Sequence, residues 1–214
     1  MSYRRGARLI APVAVAATAF SISFGVLARA AGMGTVGPIA MSATTFGGSA
    51  QFAAVSVLHD GGGAAAAIVA AVLLNVRYLP IGISVARGFV GHRLRRLVEA
   101  QLVVDESWAV SVGSGRFDRR VLIGAGGLLY LCWVGGTALG VLGGSALGDP
   151  NRFGLDAAFP ALFLALVAPR LRERRALHAA LLGGALAAAL IPVVPPGIPI
   201  VAASAACLLG WRRR

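Results

Sequence analysis

Long apolar segments separated by short polar stretches follow one another along the whole chain. A helix needs roughly 20 apolar residues to cross a hydrocarbon core about 30 Å thick. Seven segments approach that length, and an eighth, residues 98–112, is weaker because it contains charged and amide side chains. The pattern predicts a bundle of membrane helices formed by Leu9–Ala28, Val36–Leu58, Ala64–Ala86, Val98–Val112, Val121–Leu147, Phe153–Ala168, Ala176–Ile191 and Val193–Trp211.

Composition points the same way. Hydrophobic residues make up 57% of the 214 residues and charged residues only 13%, with a mean hydropathy of +0.80. Soluble domains usually contain about a quarter charged residues. We therefore predict one integral membrane domain over residues 1–214, all-α and polytopic. Cys132, Cys207 and the three His are scattered, so we predict no metal site, disulfide framework or cofactor.

The net charge of +12 comes entirely from Arg, and most Arg residues border an apolar segment. Cytoplasmic loops of membrane proteins carry such cations, facing anionic lipid. We therefore predict a multi-pass protein of the cell membrane with both termini cytoplasmic and no nucleic-acid partner. The five Arg clusters are Arg4, Arg5 and Arg8; Arg87, Arg93, Arg95 and Arg96; Arg116, Arg119 and Arg120; Arg170, Arg172, Arg174 and Arg175; and Arg212 to Arg214.

The number of crossings between two cytoplasmic clusters must be even. Three apolar segments separate the first two clusters, so one of them should enter the membrane without crossing it. Val36–Leu58 is the candidate, because Gly47, Gly48 and Ser49 interrupt it. We expect Val98–Val112 to be interfacial or to dip inward. The prediction is about six full spans plus a broken or re-entrant segment; eight crossings, the alternative, would put the second cluster outside.

Polar residues within apolar segments mark the candidate site, since they are costly in lipid. At residues 46–52, a helix broken near Gly48 would offer N–H groups to a carboxylate and carbonyls to a cation. The alternative is that the small residues there only allow close packing. Arg77 lies deep in its segment and should meet an acid, carbonyls or water; a purely structural ion pair is the alternative. Pro80 should leave the Val76 carbonyl free.

Two further polar segments contain carboxylates. Asp105 and Glu106 are adjacent, which would let one of them bind a proton if they are buried, while a solvated helix face is the alternative. Gln101, Asp105 and Trp108 would share one helix face. Asp156 opens a segment and can act as a proton carrier or as a helix cap. Small residues at helical spacing predict a packing face, internal or toward a partner, at Gly136, Gly140 and Gly144.

These segments, in this order, resemble the AzlC family, the large subunit of two-component branched-chain amino acid exporters. The family's Gly-Ser-Ala-Gln-Phe segment is matched by residues 48–52. Its Asn-x-Arg-His segment is matched by Asn75 and Arg77, with Tyr78 in the place of His.

The resemblance continues through the second half of the chain. The family's Thr-Asp-Glu segment is matched by Asp105 and Glu106, with Val104 in the place of Thr, and its Leu-Asp-x-x-x-Pro-Ala-Leu-Phe segment by residues 155–163. The resemblance implies export of hydrophobic amino acids, driven by the proton gradient, with a small AzlD-type membrane subunit as partner. A proton relay or specificity that depends on the missing His and Thr would differ here.

The sequence thus predicts a secondary transporter and not an enzyme. No P-loop is present, and a chain without Lys cannot supply its lysine. We predict substrate contacts at Gly47, Gly48, Ser49, Gln51, Asn75 and Arg77, and proton exchange at Asp105, Glu106 and Asp156. Two alternatives stay open: a non-transporting scaffold subunit, and an intramembrane serine hydrolase using Ser49 with His59 as base.

Overall fold

The computed structural model describes residues 2–112, 117–147, 164, 168, 170–194 and 198–206. The described residues form α-helices and two short 3-10 turns, Ala86–Gly88 and Arg170–Arg172, with no strand among them. The all-α prediction is confirmed for this part of the chain. The helices are α1 (Tyr3–Ala30), α2 (Val36–Thr45), α3 (Gly48–His59), α4 (Ala64–Asn75), α5 (Tyr78–Val85), α6 (Arg93–Ala100), α7 (Asp105–Val112), α8 (Arg119–Leu147), α9 (Arg174–Leu190) and α10 (Ile198–Ser204).

Two of the described helices, α1 and α8, are long and apolar enough to cross a membrane. The consecutive helices α4 and α5 make a third span if they count as one, bent by 42°. The predicted number of about six full spans is therefore not confirmed. The predicted segment Phe153–Ala168 lies largely outside the described residues, and the predicted segment Val193–Trp211 lies partly outside them. Asp156 and Cys207 also lie outside them.

The helices α1 and α8 pack side by side and run in the same direction. A Cβ on Gly6, near the start of α1, would overlap the backbone of Val121, near the start of α8, and one on Gly25 would overlap the backbone of Thr137. Small residues allow such backbone approach in membranes. The predicted small-residue face of α8 is internal, because α1 packs against Gly136, Gly140 and Gly144.

This parallel packing defines two ends of the bundle. The starts of α1 and α8, with Arg4, Arg5, Arg119 and Arg120, lie at the same end, which we call the basic end. The opposite end, where α1 stops at Ala30, is the far end. Because both helices start at the basic end, the chain between them must return there from the far end.

A helical hairpin, α2–α3, enters the bundle from the far end and turns back. Phe46 ends α2 in the left-handed conformation (φ 40°) and Gly47 precedes α3 in an extended one, so the predicted interruption is confirmed. Ser42 and Gln51 flank the break and share a 2.8 Å hydrogen bond. In a straight helix they would be about 13 Å apart, so the chain reverses between them. Phe52 returns to pack edge to face on Phe24 of α1.

The next two helices, α4 and α5, carry the chain from the far end to the basic end. Their junction is Val76–Arg77. We predicted a free carbonyl at Val76, and this is wrong: the N–H of Leu79 reaches that oxygen at 3.0 Å in a tight turn. At the basic end, Val85 joins a cluster with Phe89 and Leu122, the latter near the start of α8.

A second helical hairpin, α6–α7, enters from the basic end. Glu99 of α6 pairs with Arg119 at the start of α8, and the N–H of Asp118 bonds to the carbonyl of Ser111 at 3.0 Å near the end of α7. Residues 101–104 form the tip between the helices. The prediction that Gln101 shares a helix face with Asp105 is wrong, because the helix stops between them.

The tips of the two hairpins meet inside the bundle. The side-chain amide of Gln101 donates to the carbonyls of Ala43 at 3.2 Å and Thr44 at 2.8 Å, at the last turn of α2. The hydroxyl of Tyr130 on α8 donates to the Ala43 carbonyl at 2.9 Å. These bonds satisfy carbonyls that the end of a helix leaves without intrahelical donors. Two hairpins from opposite ends thus enclose the space between their tips.

Candidate functional site

A cavity of about 170 Å³ lies halfway along α1 and α8, beside both hairpin tips. A water needs roughly 10 to 15 Å³ by the same measure, so the space can hold a small solute. Its apolar wall comes mainly from α1 and α8, and its polar wall from α3, the α4–α5 junction and α7. The lining residues are Val13, Ala16, Ala17, Phe20, Phe46, Gly48, Ser49, Arg77, Tyr78, Val104, Asp105, Glu106, Leu129 and Trp133.

The start of α3 forms one polar wall of this cavity. No side chain caps the helix at Gly47, so its first N–H groups lack the usual capping acceptor. Gly48 has no room for a side chain, because a Cβ would lie 2.7 Å from the ring of Trp133. Ser49 is 4% exposed, and its hydroxyl oxygen is buried with no hydrogen-bond partner among the described residues.

Behind this wall, a closed ring of hydrogen bonds joins α2, α3 and α8. The indole N–H of Trp133 donates to Oε1 of Gln51 at 2.8 Å, and the amide of Gln51 donates to the hydroxyl of Ser42 at 2.8 Å. Thr137 lies 2.8 Å from Ser42 and donates to the Trp133 carbonyl, so Ser42 is the donor to Thr137. Gln51 is fully buried, and these bonds fix the hairpin on α8.

Arg77 faces the cavity from the α4–α5 junction and meets an acid. Its Nε lies 2.9 Å from Oδ2 of Asp105, at an angle that makes the contact an ion pair rather than a hydrogen bond. A terminal nitrogen donates to the Tyr78 hydroxyl at 3.3 Å, and the guanidinium carbon lies 5.0 Å from the centre of that ring. The cation is thus held by a carboxylate and an aromatic side chain.

Asp105 and Glu106 begin α7 and belong to another polar part of the cavity lining. An acid in the first turn of a helix is favoured by the helix dipole. Glu106 is exposed and forms no ion pair with any described residue, whereas Asp105 is engaged by Arg77. The indole of Trp108 donates to Ser84 at 3.0 Å and so attaches α7 to α5. The cavity therefore carries one guanidinium and two carboxyl groups.

A separate charged cluster fixes the second hairpin at the basic end. The carboxylate of Glu99 is 6% exposed and accepts hydrogen bonds from Arg119 and, at 2.9 Å, from Arg95. The hydrogen bonds from Arg119, followed by those from Arg95, hold the pKa of the Glu99 carboxyl below its ordinary value despite its burial. Burial of a carboxylate is tolerated here because two guanidinium groups compensate it.

The structure brings five of the predicted site residues together and leaves three behind the wall. Gly48, Ser49, Arg77, Asp105 and Glu106 line the cavity. Gln51 belongs to the buried ring, and Asn75 packs against the helix break, with its Oδ1 2.8 Å from the position of a Cβ on Gly47. A substrate contact at Gly47, Gln51 or Asn75 stays a prediction.

The serine hydrolase alternative required a base beside Ser49. His59 is at the other end of α3, ten residues and therefore about 15 Å along the helix. The Ser49 hydroxyl has no hydrogen-bond partner in the described part of the chain. Among the described residues, no base is hydrogen-bonded to this hydroxyl.

Sequence reasoning missed Trp133 and the cavity wall from α1. Trp133 packs against Gly48, lines the cavity and binds Gln51. A signal was present, since a Trp deep in an apolar segment needs a partner for its N–H. Val13 and Phe20 carried no such signal, because they are ordinary residues of an apolar helix.

Comparison with known proteins gives consistent matches. A family model described as AzlC protein matches residues 12–147. A membrane protein of Archaeoglobus fulgidus is 35% identical over 214 residues, which cover 98% of this chain and 94% of the relative. The branched-chain amino acid transport protein AzlC of Bacillus subtilis is 28% identical over 176 residues (78% and 67%), and the inner membrane protein YgaZ of Escherichia coli is 24% identical over 209 residues (92% and 85%). No solved structure matches.

Proposed function

The chain belongs to the AzlC family, and from that premise we propose that it is a secondary exporter of branched-chain or other hydrophobic amino acids. The observation that supports the proposal is the cavity halfway along α1 and α8, which is lined by the polar starts of α3 and α7 and by an apolar wall. Transporters bind their substrates in such places, because broken helices offer free backbone groups within the membrane. The Bacillus subtilis relative is named for transport of branched-chain amino acids, which fits the apolar wall.

Each part of a hydrophobic amino acid has a counterpart in this cavity. Val13, Phe20 and Leu129 present apolar groups to the side chain. Ser49, with the start of α3, and the carboxylates of α7 present polar groups to the zwitterion. Asp105 and Glu106 are also the groups that exchange the driving proton, with Asp156 as a further carrier outside the described residues.

The proposed orientation places the basic end in the cytoplasm. The Arg clusters at the starts of α1, α6 and α8 lie together there, as the positive-inside rule requires. Arg93 and Arg96 make no ion pair with described residues and border a groove lined by Phe89 and Leu97. We propose that these two Arg bind anionic lipid headgroups.

A small AzlD-type membrane subunit is the proposed partner. The resemblance to the family supports it, and α4 presents apolar side chains outward that either lipid or a second chain can cover, including Ile68 and Val72. Co-purification of the two chains from the membrane, with transport measured for each alone and for both, tests this part. Transport by the large chain alone at the rate of the pair would contradict it.

Counterflow in proteoliposomes tests the exporter proposal. Vesicles loaded with unlabelled leucine should accumulate labelled leucine, and a proton gradient should drive net movement. Asp105→Asn and Glu106→Gln together should abolish the gradient-driven movement. Transport of the double variant like wild type at every pH would contradict the proton role.

The scaffold alternative is supported by one observation, the ion pair between Arg77 and Asp105. If this pair serves only the fold, the exchanged variant carrying Arg77→Asp and Asp105→Arg should match the wild type both in stability and in the transport measured with the partner subunit. We expect it to regain stability but not transport, because the cavity would present its charges on the wrong walls.

A further inference from the structure

The two polar walls of the cavity differ in the sign of charge that they can accept. At the start of α3, the N–H groups of residues 48–50 have no intrahelical acceptor, and the helix dipole adds positive potential there. Such a helix start suits an anion. By itself this geometry is common to every helix.

Ser49 adds an independent observation that points to a ligand. A buried hydroxyl normally has a hydrogen-bond partner, often the carbonyl one turn earlier. The Ser49 oxygen is buried, lines the cavity, and has no partner among the described residues. A hydroxyl donor beside free N–H groups forms a neutral set that can surround one carboxylate.

The charge of Arg77, on the wall formed by the α4–α5 junction and α7, is already paired. Its Nε lies 2.9 Å from Oδ2 of Asp105, and one of its terminal nitrogens donates to the Tyr78 hydroxyl at 3.3 Å. Glu106 has no ion-pair partner in the described part of the chain. With two carboxyl groups and one guanidinium, this wall favours an added cation.

We infer that the cavity binds an amino acid in one orientation, with its carboxylate at Ser49 and the start of α3, and its ammonium group at Asp105 and Glu106. Arg77 is then the counter-ion of Asp105 and not the substrate contact that the sequence predicted. The inference rests on the proposed function, since it assumes that amino acids enter the cavity. If the ligand lacks a carboxylate, Ser49 should no longer contribute to its binding affinity.

Binding measurements with three ligands test this assignment. The full chain in lipid nanodiscs is titrated with L-leucine, with leucinamide, which lacks the carboxylate, and with 4-methylpentanoate, which lacks the ammonium group. Ser49→Ala should weaken leucine binding about tenfold or more, as expected for loss of a hydrogen bond to a charged group. It should leave leucinamide binding unchanged. Glu106→Gln should weaken leucine and leucinamide but not 4-methylpentanoate.

Ser56→Ala is the matched control, because it removes a hydroxyl from the same helix away from the cavity. This variant should bind all three ligands with the affinity of the wild type. Equal leucine affinity of Ser49→Ala and wild type would overturn the inference. So would an Arg77→Gln variant that loses leucine but keeps leucinamide, since the carboxylate would then belong to Arg77. A wild-type chain that binds none of the three ligands would instead refute the proposed function.

Discussion

Gly140 is a position where one added methyl group should disturb the packing of α1 on α8. A Cβ there would overlap the carbonyl oxygen of Ile22 and lie 2.9 Å from its carbonyl carbon and 3.0 Å from its Cα. Favourable separations between carbon atoms are about 3.5 to 4.0 Å, so α1 and α8 must move apart by roughly 0.5 to 1 Å. A gap of that size forfeits about a quarter to a half of each dispersion contact along the interface. Overpacking of this kind costs about 1 to 3 kcal/mol.

Gly143 on the same helix is the matched control, since a Cβ there meets no atom within 4 Å. Gly143→Ala should be neutral or stabilising, because Ala is a better helix former than Gly by up to about 1 kcal/mol. Thermal unfolding in a mild detergent, followed by circular dichroism, measures both variants. Gly140→Ala should lower the midpoint by about 2 to 12 °C for a chain of this size. Equal midpoints for the two variants would refute the close packing of α1 on α8.

Three further predictions concern the hydrogen-bond ring, the charged cluster and the topology. Gln51→Leu leaves the Trp133 indole N–H buried without an acceptor and should lower the free energy of unfolding in detergent by about 1 to 3 kcal/mol. A decrease below about 0.5 kcal/mol, which is usual for a surface substitution, would contradict the hydrogen-bond ring. The pKa of Glu99 is lower in the folded chain than in the unfolded one, so the ionised carboxylate stabilises the fold fully above a pH of about 4.3, and this stabilisation is lost as the pH falls through the folded pKa. In Glu99→Gln, the free energy of unfolding should therefore depend less on pH below about 4.3. In a chain without other cysteines, Arg93→Cys should react with an impermeant thiol reagent from the cytoplasmic side and Asp60→Cys from the outside; labelling of both from one side would refute the topology.

Breaks of the helices at polar or glycine residues could be predicted from the sequence. Gly47 and Gly48 interrupt an apolar segment, and Arg77 lies too deep in another to reach the interface. In lipid such residues are costly, so their presence alone indicates a break, a partner or water. The structure bears out the break beside Gly47 and supplies an acid for Arg77.

The second hairpin could not be predicted in the same way. Gln101 and Asp105 are four residues apart, the spacing of one helix face. The end of the helix between them is stabilised by a tertiary contact, because the Gln101 amide binds the last carbonyls of α2. The Ser107 hydroxyl adds local bonds to the backbone at Leu102 and Val104. Contacts between residues 58 positions apart leave no mark in local spacing.

The candidate site was likewise predictable from the sequence only in part. Its charged residues could be recognised because charge is rare in apolar segments. The pairing of Trp133 with Gln51, 82 residues apart, and the apolar wall from α1 depend on how the helices are assembled. Periodicity along one helix carries no information about which neighbour it will meet.

The two hairpins and the long pair α1 and α8 are held in place by different kinds of contact. The long pair α1 and α8 is held by backbone contact at several glycines and has little freedom to slide. The hairpin tips beside the cavity are short turns, and the Gln101 side chain joins them by hydrogen bonds to the end of α2. Under the proposed function, we expect one tip to withdraw and open the cavity toward one end, while the other tip and the packing of α1 on α8 stay in place.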